Sequence, residues 1–203
     1  MNIEEYRKDK DNAVFLADFI SRYPSYYEYI EPIHKKFYGH NAEKMTMGCS
    51  YSVYLHLLDN VLKNKPKHII EYGPGFTTLL FLRAFKDLNY TPKFTSYEND
   101  PTFFKILVDN GFNEENVIEL VDLEVVDAGD TYHCTYLHDL DKHKDVDFVF
   151  IDGPGHVSLN GKRKPNINLN LKLLSENSQG KKIMYMIDGR RDTQVFYQEL
   201  FPK

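Results

Sequence analysis

The sequence predicts an α/β fold: a doubly wound, mostly parallel sheet with helices on both faces. Three observations carry that expectation. Strand-like and helix-like segments alternate from Lys67 onward. Phe148-Val149-Phe150-Ile151 is a short, fully apolar run of the kind that lies inside a parallel sheet. Several of the strand-like runs end in an acid followed by glycine, as loops at the carboxyl edge of such a sheet often do.

The elements follow in order. Residues 1–48 read as a helical, aromatic-rich extension preceding an α/β domain over 49–203. Phe15, Leu16, Phe19 and Ile20 fall at helical spacing, and Pro24 and Pro32 punctuate a stretch crowded with Tyr23, Tyr26, Tyr27, Tyr29, Phe37 and Tyr38. A helix over about 50–62 can take Ser50 as its N-cap. His68-Ile69-Ile70-Glu71-Tyr72 is the first strand, and 77–86 a helix with Leu79, Leu80, Leu82 and Ala84 available for burial. Residues 93–98 form a second strand, and Asp100-Pro101 opens a helix with an N-cap acid and a proline at the first helical position. A third strand lies within 117–126, a fourth within 146–152 and a fifth at 183–188, with a closing helix over about 192–200. Crossovers between parallel strands are expected to be right-handed.

Composition narrows the function classes. The 203 residues carry a formal net charge of −5, which argues against a broad electrostatic grip on nucleic acid. No apolar run approaches the roughly 20 residues that a membrane helix needs, and Met1-Asn2-Ile3-Glu4-Glu5 is acidic where a signal peptide is basic. A cytoplasmic protein is the expectation. Cys49 and Cys134 are far apart and read as free buried thiols.

The chemistry is expected just after the strands. Glu71-Tyr72-Gly73-Pro74-Gly75 lets the backbone turn tightly and approach a ligand, and Thr77 or Thr78 can cap the next helix or bond that ligand. Glu98 ends the second strand 23 residues after Gly75, near the spacing at which an acid meets a ribose in nucleotide-binding folds, with Asn99 beside it. A carboxylate there can accept both ribose hydroxyls. The fourth strand delivers Asp152 into Gly153-Pro154-Gly155-His156, and the fifth delivers Asp188 into Gly189-Arg190-Arg191. On neighbouring strands about 4.8 Å apart, Asp152 and Asp188 could face one another and share a divalent cation such as Mg2+.

Together these residues resemble the class I S-adenosylmethionine-dependent methyltransferases, which have a Rossmann-like fold. Their first motif is an acid, a variable residue and Gly-x-Gly, as in Glu71-Tyr72-Gly73-Pro74-Gly75. Thr77 replaces the third glycine, and Gly75-Phe76-Thr77-Thr78-Leu79 is similar to a Gly-x-Ser-Thr subgroup. Asp147-Phe148-Val149-Phe150-Ile151-Asp152-Gly153-Pro154 resembles that subgroup's fourth strand, and the likeness spans roughly 50–190. The resemblance implies S-adenosyl-L-methionine as cofactor, with Gly73, Pro74 and Gly75 against its methionine part and Glu98 on the ribose. Asp127 is the acid assigned to the adenine, in competition with Asp122 and Asp130. It implies O-methylation of a small molecule or saccharide, a metal in some members held where Asp152 and Asp188 stand, and sixth and seventh strands for which this sequence has no counterpart. Either five strands suffice, or another subunit of a homo-oligomer supplies the edge, or the chain is shortened.

For catalysis, Asp152 and His156 are the candidates. An imidazole with an ordinary pKa near 6.5 suits removal of a hydroxyl proton. The basic segment Asn160-Gly161-Lys162-Arg163-Lys164-Pro165 reads either as a cover attracting an anionic group or as a solvated loop, and Asn166, Asn168 and Asn170 are polar enough to bond a sugar. Two other classes compete. An NAD-dependent oxidoreductase would share the ribose acid, but its Gly-x-Gly-x-x-Gly fingerprint fails at Thr78. A non-catalytic partner subunit of the same fold would be favoured by a cofactor pocket filled with Tyr or Phe side chains.

Overall fold

A computed structural model describes residues 51–113, 115–178 and 180–201, with Glu28 and Pro32 as isolated positions. The aromatic extension over 1–48 and Cys49 otherwise lie outside the described residues.

Five strands make one parallel sheet. They are β1 (His68–Tyr72), β2 (Lys93–Glu98), β3 (Ile118–Leu120), β6 (Phe148–Ile151) and β10 (Met184–Ile187). Their order across the sheet is β10-β6-β1-β2-β3, and every neighbouring pair is parallel. The chain moves outward from β1 to β3, then returns to lay β6 on the other side of β1. That reversal falls between β1 and β6, and in open parallel sheets ligands bind at the carboxyl ends beside such a reversal. The fold is α/β with alternating strands and helices.

Two cores flank the sheet because its strands are apolar on both faces; β1 and β6 are buried at every position. On one face lie α1 (Tyr51–Asn64), α2 (Phe76–Asp87) and α3 (Pro101–Asp109). Phe81 of α2 is 1% exposed and meets the rings of Phe85, Phe94, Phe148 and Phe150 at 5.2–6.4 Å. Asp100 caps α3 through the N–H groups of Thr102 and Phe103 at 2.8 and 3.3 Å, and Pro101 fills the first helical turn as the sequence predicts.

The other face is not covered by helices alone. The expected third strand over 117–126 divides at Val121–Asp122: β3 stays in the main sheet, whereas β4 (Leu123–Asp127) leaves it and pairs antiparallel with β5 (Tyr132–Tyr136). Asp127 and Gly129 make the turn, with the Gly129 N–H on the Asp127 carboxylate at 3.0 Å. β9 (Asn166–Asn168) joins β5 in a second, three-stranded sheet. The short pair β7 (Ser158–Leu159) and β8 (Lys162–Arg163) precedes it. A short 3-10 turn (Leu140–His143), α4 (Asn170–Asn177) and α5 (Arg191–Leu200) complete this face, where Tyr72, Tyr97, Tyr136 and Tyr197 are buried.

Under the amino end of the sheet runs a polar chain. Asp145 Oδ1 lies 2.6 Å from His68 Nδ1, His68 Nε2 lies 2.9 Å from His143 Nδ1, and His143 Nε2 lies 2.6 Å from the Tyr97 hydroxyl. Among the described residues no helix is long and apolar enough to cross a membrane.

Candidate functional site

The sheet ladder runs past the strand ends and places the loops that follow them side by side. The Gly73 N–H donates to the Tyr97 carbonyl at 3.0 Å, the Asp152 N–H to the Tyr72 carbonyl at 2.8 Å, and the Asp188 N–H to the Ile151 carbonyl at 2.9 Å. The first residues after β1, β6 and β10 thus stand in one row.

At the head of that row the backbones touch. Gly73 has φ +90, and a Cβ there would lie 2.7 Å from the Gly153 nitrogen. Glycine is therefore required for both conformation and space. Gly153 is equally confined, since a Cβ on it would overlap the Tyr136 hydroxyl.

Glu71, expected beside the cofactor, points inward and is fully buried. Thr77 donates to one of its oxygens, and Thr78 and Ser96 donate to the other at 2.6 and 2.7 Å. Thr78 in turn accepts the Gly75 N–H at 2.9 Å. The motif acid is a brace that ties β1, β2 and the start of α2 into one turn. This also gives Thr78 a role where a dinucleotide fingerprint has glycine: a hydroxyl brace replaces close backbone packing. Burial pushes the Glu71 carboxyl up to about 7 against the pull of the three hydroxyls, with the nearby Glu98 charge adding to the rise.

Glu98 is 6% exposed at the end of β2. One oxygen, Oε1, accepts the N–H groups of Asn99 and Asp100, both at 2.7 Å. The other oxygen has no hydrogen-bond partner among the described residues. Burial pushes this carboxyl up to about 7 as well, opposed by the two backbone N–H groups and by the Arg190 charge. Asn99 beside it contributes its backbone to this turn. Pro74 is buried, whereas Gly73 and Gly75 are half-buried, so the turn leaves its backbone partly exposed.

Asp152 and Asp188 are both half-buried at adjacent strand ends. Arg190 lies over the first of them: its guanidinium donates to the backbone carbonyls of Asp152 and Pro154 and stands 3.7 Å from Asp152 Oδ1. The Arg190 charge thus lies beside the Asp152 carboxylate, where it repels a second cation. Among the described residues no three His, Cys, Asp or Glu side chains converge. With the Arg190 guanidinium beside Asp152 and no third ligand converging among the described residues, the residues present do not fit a divalent-cation site. His156 is exposed four residues beyond Asp152.

Asp127, assigned to the adenine in competition with Asp122 and Asp130, is not at the end of β3. It ends β4 in the second sheet, and its carboxylate pairs with Lys164 at 2.5 Å, which holds its pKa below the usual range. The acid that directly follows β3 is Asp122, which is exposed. The same ion pair fastens one lysine of the basic segment 160–165. Asn168 and Asn170 are fully buried braces and do not face a sugar: the Asn168 amide holds the Gly153 carbonyl at 3.0 Å, and Asn170 bonds both backbone groups of Tyr136 at 2.9 Å. Asn166 holds the Gly155 carbonyl at 2.9 Å.

Two residues that contact this row, Tyr136 and Arg190, are not among the site residues the sequence suggests. The alternation Tyr132, Cys134, Tyr136, buried at each position, is a period-two signal that marks β5. Arg190 sits two residues after an acid already singled out, but only tertiary structure shows that it reaches back to the β6 loop.

No protein-family model matches the chain, and no curated protein or solved structure matches it significantly.

Proposed function

We propose that this chain is a Rossmann-like methyltransferase that uses S-adenosyl-L-methionine to methylate a hydroxyl of a small molecule or saccharide. The observation that carries the reading is the juxtaposition at the sheet reversal. A glycine turn that exposes its backbone, a buried glutamate with one unengaged oxygen and a half-buried aspartate all stand at the carboxyl ends of β1, β2 and β6. The strand order from β3 through β10 is the one that brings these three ends together.

The residues present fit the cofactor. Oε2 of Glu98 offers an acceptor for ribose hydroxyls, and the N–H groups of Asn99 and Asp100 fix the carboxylate in place. Gly73 and Gly75 receive the methionine part, and Glu71 serves by holding the turn in shape. When bound, the cofactor supplies a methyl group already activated on a sulfonium. The protein's share of the work is then alignment, for which effective molarities are very large. Asp152, oriented by Arg190, holds or deprotonates the acceptor hydroxyl, and exposed His156 is the alternative base.

A second reading, a non-catalytic partner subunit, is favoured by one observation: Tyr136 packs tightly on Gly153 at the reversal. Calorimetric titration with S-adenosylmethionine, S-adenosylhomocysteine and NAD separates the readings. Micromolar binding of both adenosyl ligands with none of NAD supports the methyltransferase. Binding of NAD alone means an oxidoreductase, and binding of none means a scaffold.

A further inference from the structure

Tyr136, the last residue of β5, is 1% exposed. Its ring lies 5.1 Å from that of Tyr72, and its hydroxyl presses on Gly153 at the β1–β6 reversal. That hydroxyl has no hydrogen-bond partner among the described residues. The neighbouring tyrosines differ. The Tyr72 and Tyr97 hydroxyls meet histidines at 2.8 and 2.6 Å, and those of Tyr132 and Tyr197 donate to backbone carbonyls at 2.9 and 2.8 Å. An orphaned buried hydroxyl costs stability with no structural return, and such groups call for a functional account.

The Tyr136 hydroxyl lies against Gly153, which abuts Gly73, and the Gly73 N–H bonds the Tyr97 carbonyl next to Glu98. Gly153 follows Asp152 and Gly73 neighbours the end of β2, so the hydroxyl lies at the row of strand ends that carries Asp152 and Glu98. Burial keeps the phenol protonated, which leaves it a hydrogen-bond donor.

Resting on the adenosyl-cofactor reading, we propose that the Tyr136 hydroxyl is a ligand-binding group of this site, donating to an oxygen of the ribose that Glu98 receives. The free protein keeps the donor covered by the turn at Gly153, whose carbonyls on either side Arg190 holds. Ligand entry shifts that turn and gives the hydroxyl its partner. The orphaned donor is thus a cost carried in the free state and recovered on binding.

The test is Tyr136→Phe in the full chain, read by thermal unfolding without ligand and by calorimetric titration with S-adenosylhomocysteine. Binding weakened about five- to tenfold, the loss of one hydrogen bond, with a midpoint no lower than wild type, is the expected result. A purely structural tyrosine cannot move the two readouts in opposite directions. Unchanged affinity in the variant, with wild-type binding intact, overturns the assignment and leaves the cofactor reading standing. A midpoint lowered by several degrees also overturns it, because the hydroxyl then has a partner in the free protein. If the wild-type chain binds no adenosyl ligand, the cofactor reading itself fails and the assignment falls with it.

Discussion

Glu71→Gln tests whether desolvation or hydrogen bonding governs the buried acid beneath the glycine turn. The fully buried carboxyl titrates near 7 in the folded chain against an ordinary value of 4.5. A folded-state pKa raised in this way contributes stability that is fully present below pH 4.5 and lost as pH rises through 7. The difference of about 2.5 pKa units, at about 1.4 kcal/mol each, corresponds to about 3 kcal/mol. Glutamine is neutral throughout, so the variant lacks this loss. It pays instead for imperfect bonding to Thr77, Thr78 and Ser96, an offset of about 1–2 kcal/mol that does not vary with pH. Unfolding by urea at pH 5 and pH 8 measures both. The variant is expected to be the less stable at pH 5, and to gain about 3 kcal/mol relative to wild type by pH 8. Other titrating groups largely cancel in the difference. Glu98 is the exception, because its charge adds to the rise of the Glu71 carboxyl. A stability gap that stays constant from pH 5 to pH 8 would refute the reasoning, since Glu71 would then be held by its three donors as an ordinary carboxylate.

Glu98→Ala is expected to weaken S-adenosylhomocysteine binding by about 1.5–3 kcal/mol, ten- to over a hundredfold in Kd by calorimetry; unchanged affinity removes Glu98 from the site. Gly73→Ala forces a side chain into φ +90 against the Gly153 backbone, and a loss of about 2 kcal/mol or more should appear in denaturant unfolding. Phe81→Ala empties the centre of a five-ring cluster and should cost about 3–5 kcal/mol by the same assay while sparing the carboxyl edge of the sheet. Burial holds His138 down to about 4 and His143 down to about 3, so each contributes stability that is lost as pH falls from 6.5 toward those values; acid titration of His143→Gln should show a shallower loss than wild type.

The parallel sheet was legible because its strands carry their own signal. The apolar run 148–151 and the capping pair Asp100-Pro101 are local patterns, and the structure has them where the sequence places them. The second sheet was not legible in the same way. The sequence places a single third strand within 117–126, and nothing local marks Val121–Asp122 as the point where the chain leaves one sheet for another. That choice is made by pairing with β5, five residues beyond Asp127, and it moves Asp127 away from the main sheet. The roles of Glu71 and Asn168 were hidden for a related reason. An acid next to a glycine turn suits a ligand or a brace equally well, and only its three hydroxyl partners distinguish the two.

The carboxyl end of the main sheet holds polar groups that the fold itself does not fully use, and the proposed site draws on them. At the amino end, Asp147 accepts the N–H groups of Lys67 and His68 at 2.9 and 3.0 Å, and the chain from Asp145 through His68 and His143 to Tyr97 has a partner at every link. These polar groups behave as structure. At the carboxyl end, Glu98 is almost fully buried with one oxygen unengaged, and Tyr136 is buried with its hydroxyl unpartnered among the described residues. The Glu98 carboxylate holds the Asn99 and Asp100 N–H groups, whereas the Tyr136 hydroxyl has no such task among the described residues, and an orphaned buried hydroxyl costs stability. The Tyr90 hydroxyl, ahead of β2 at the amino end, is also buried without a partner among the described residues, so it is the meeting of Glu98, Tyr136 and Asp152 near the strand-order reversal, not orphaned groups as such, that supports the proposed binding edge.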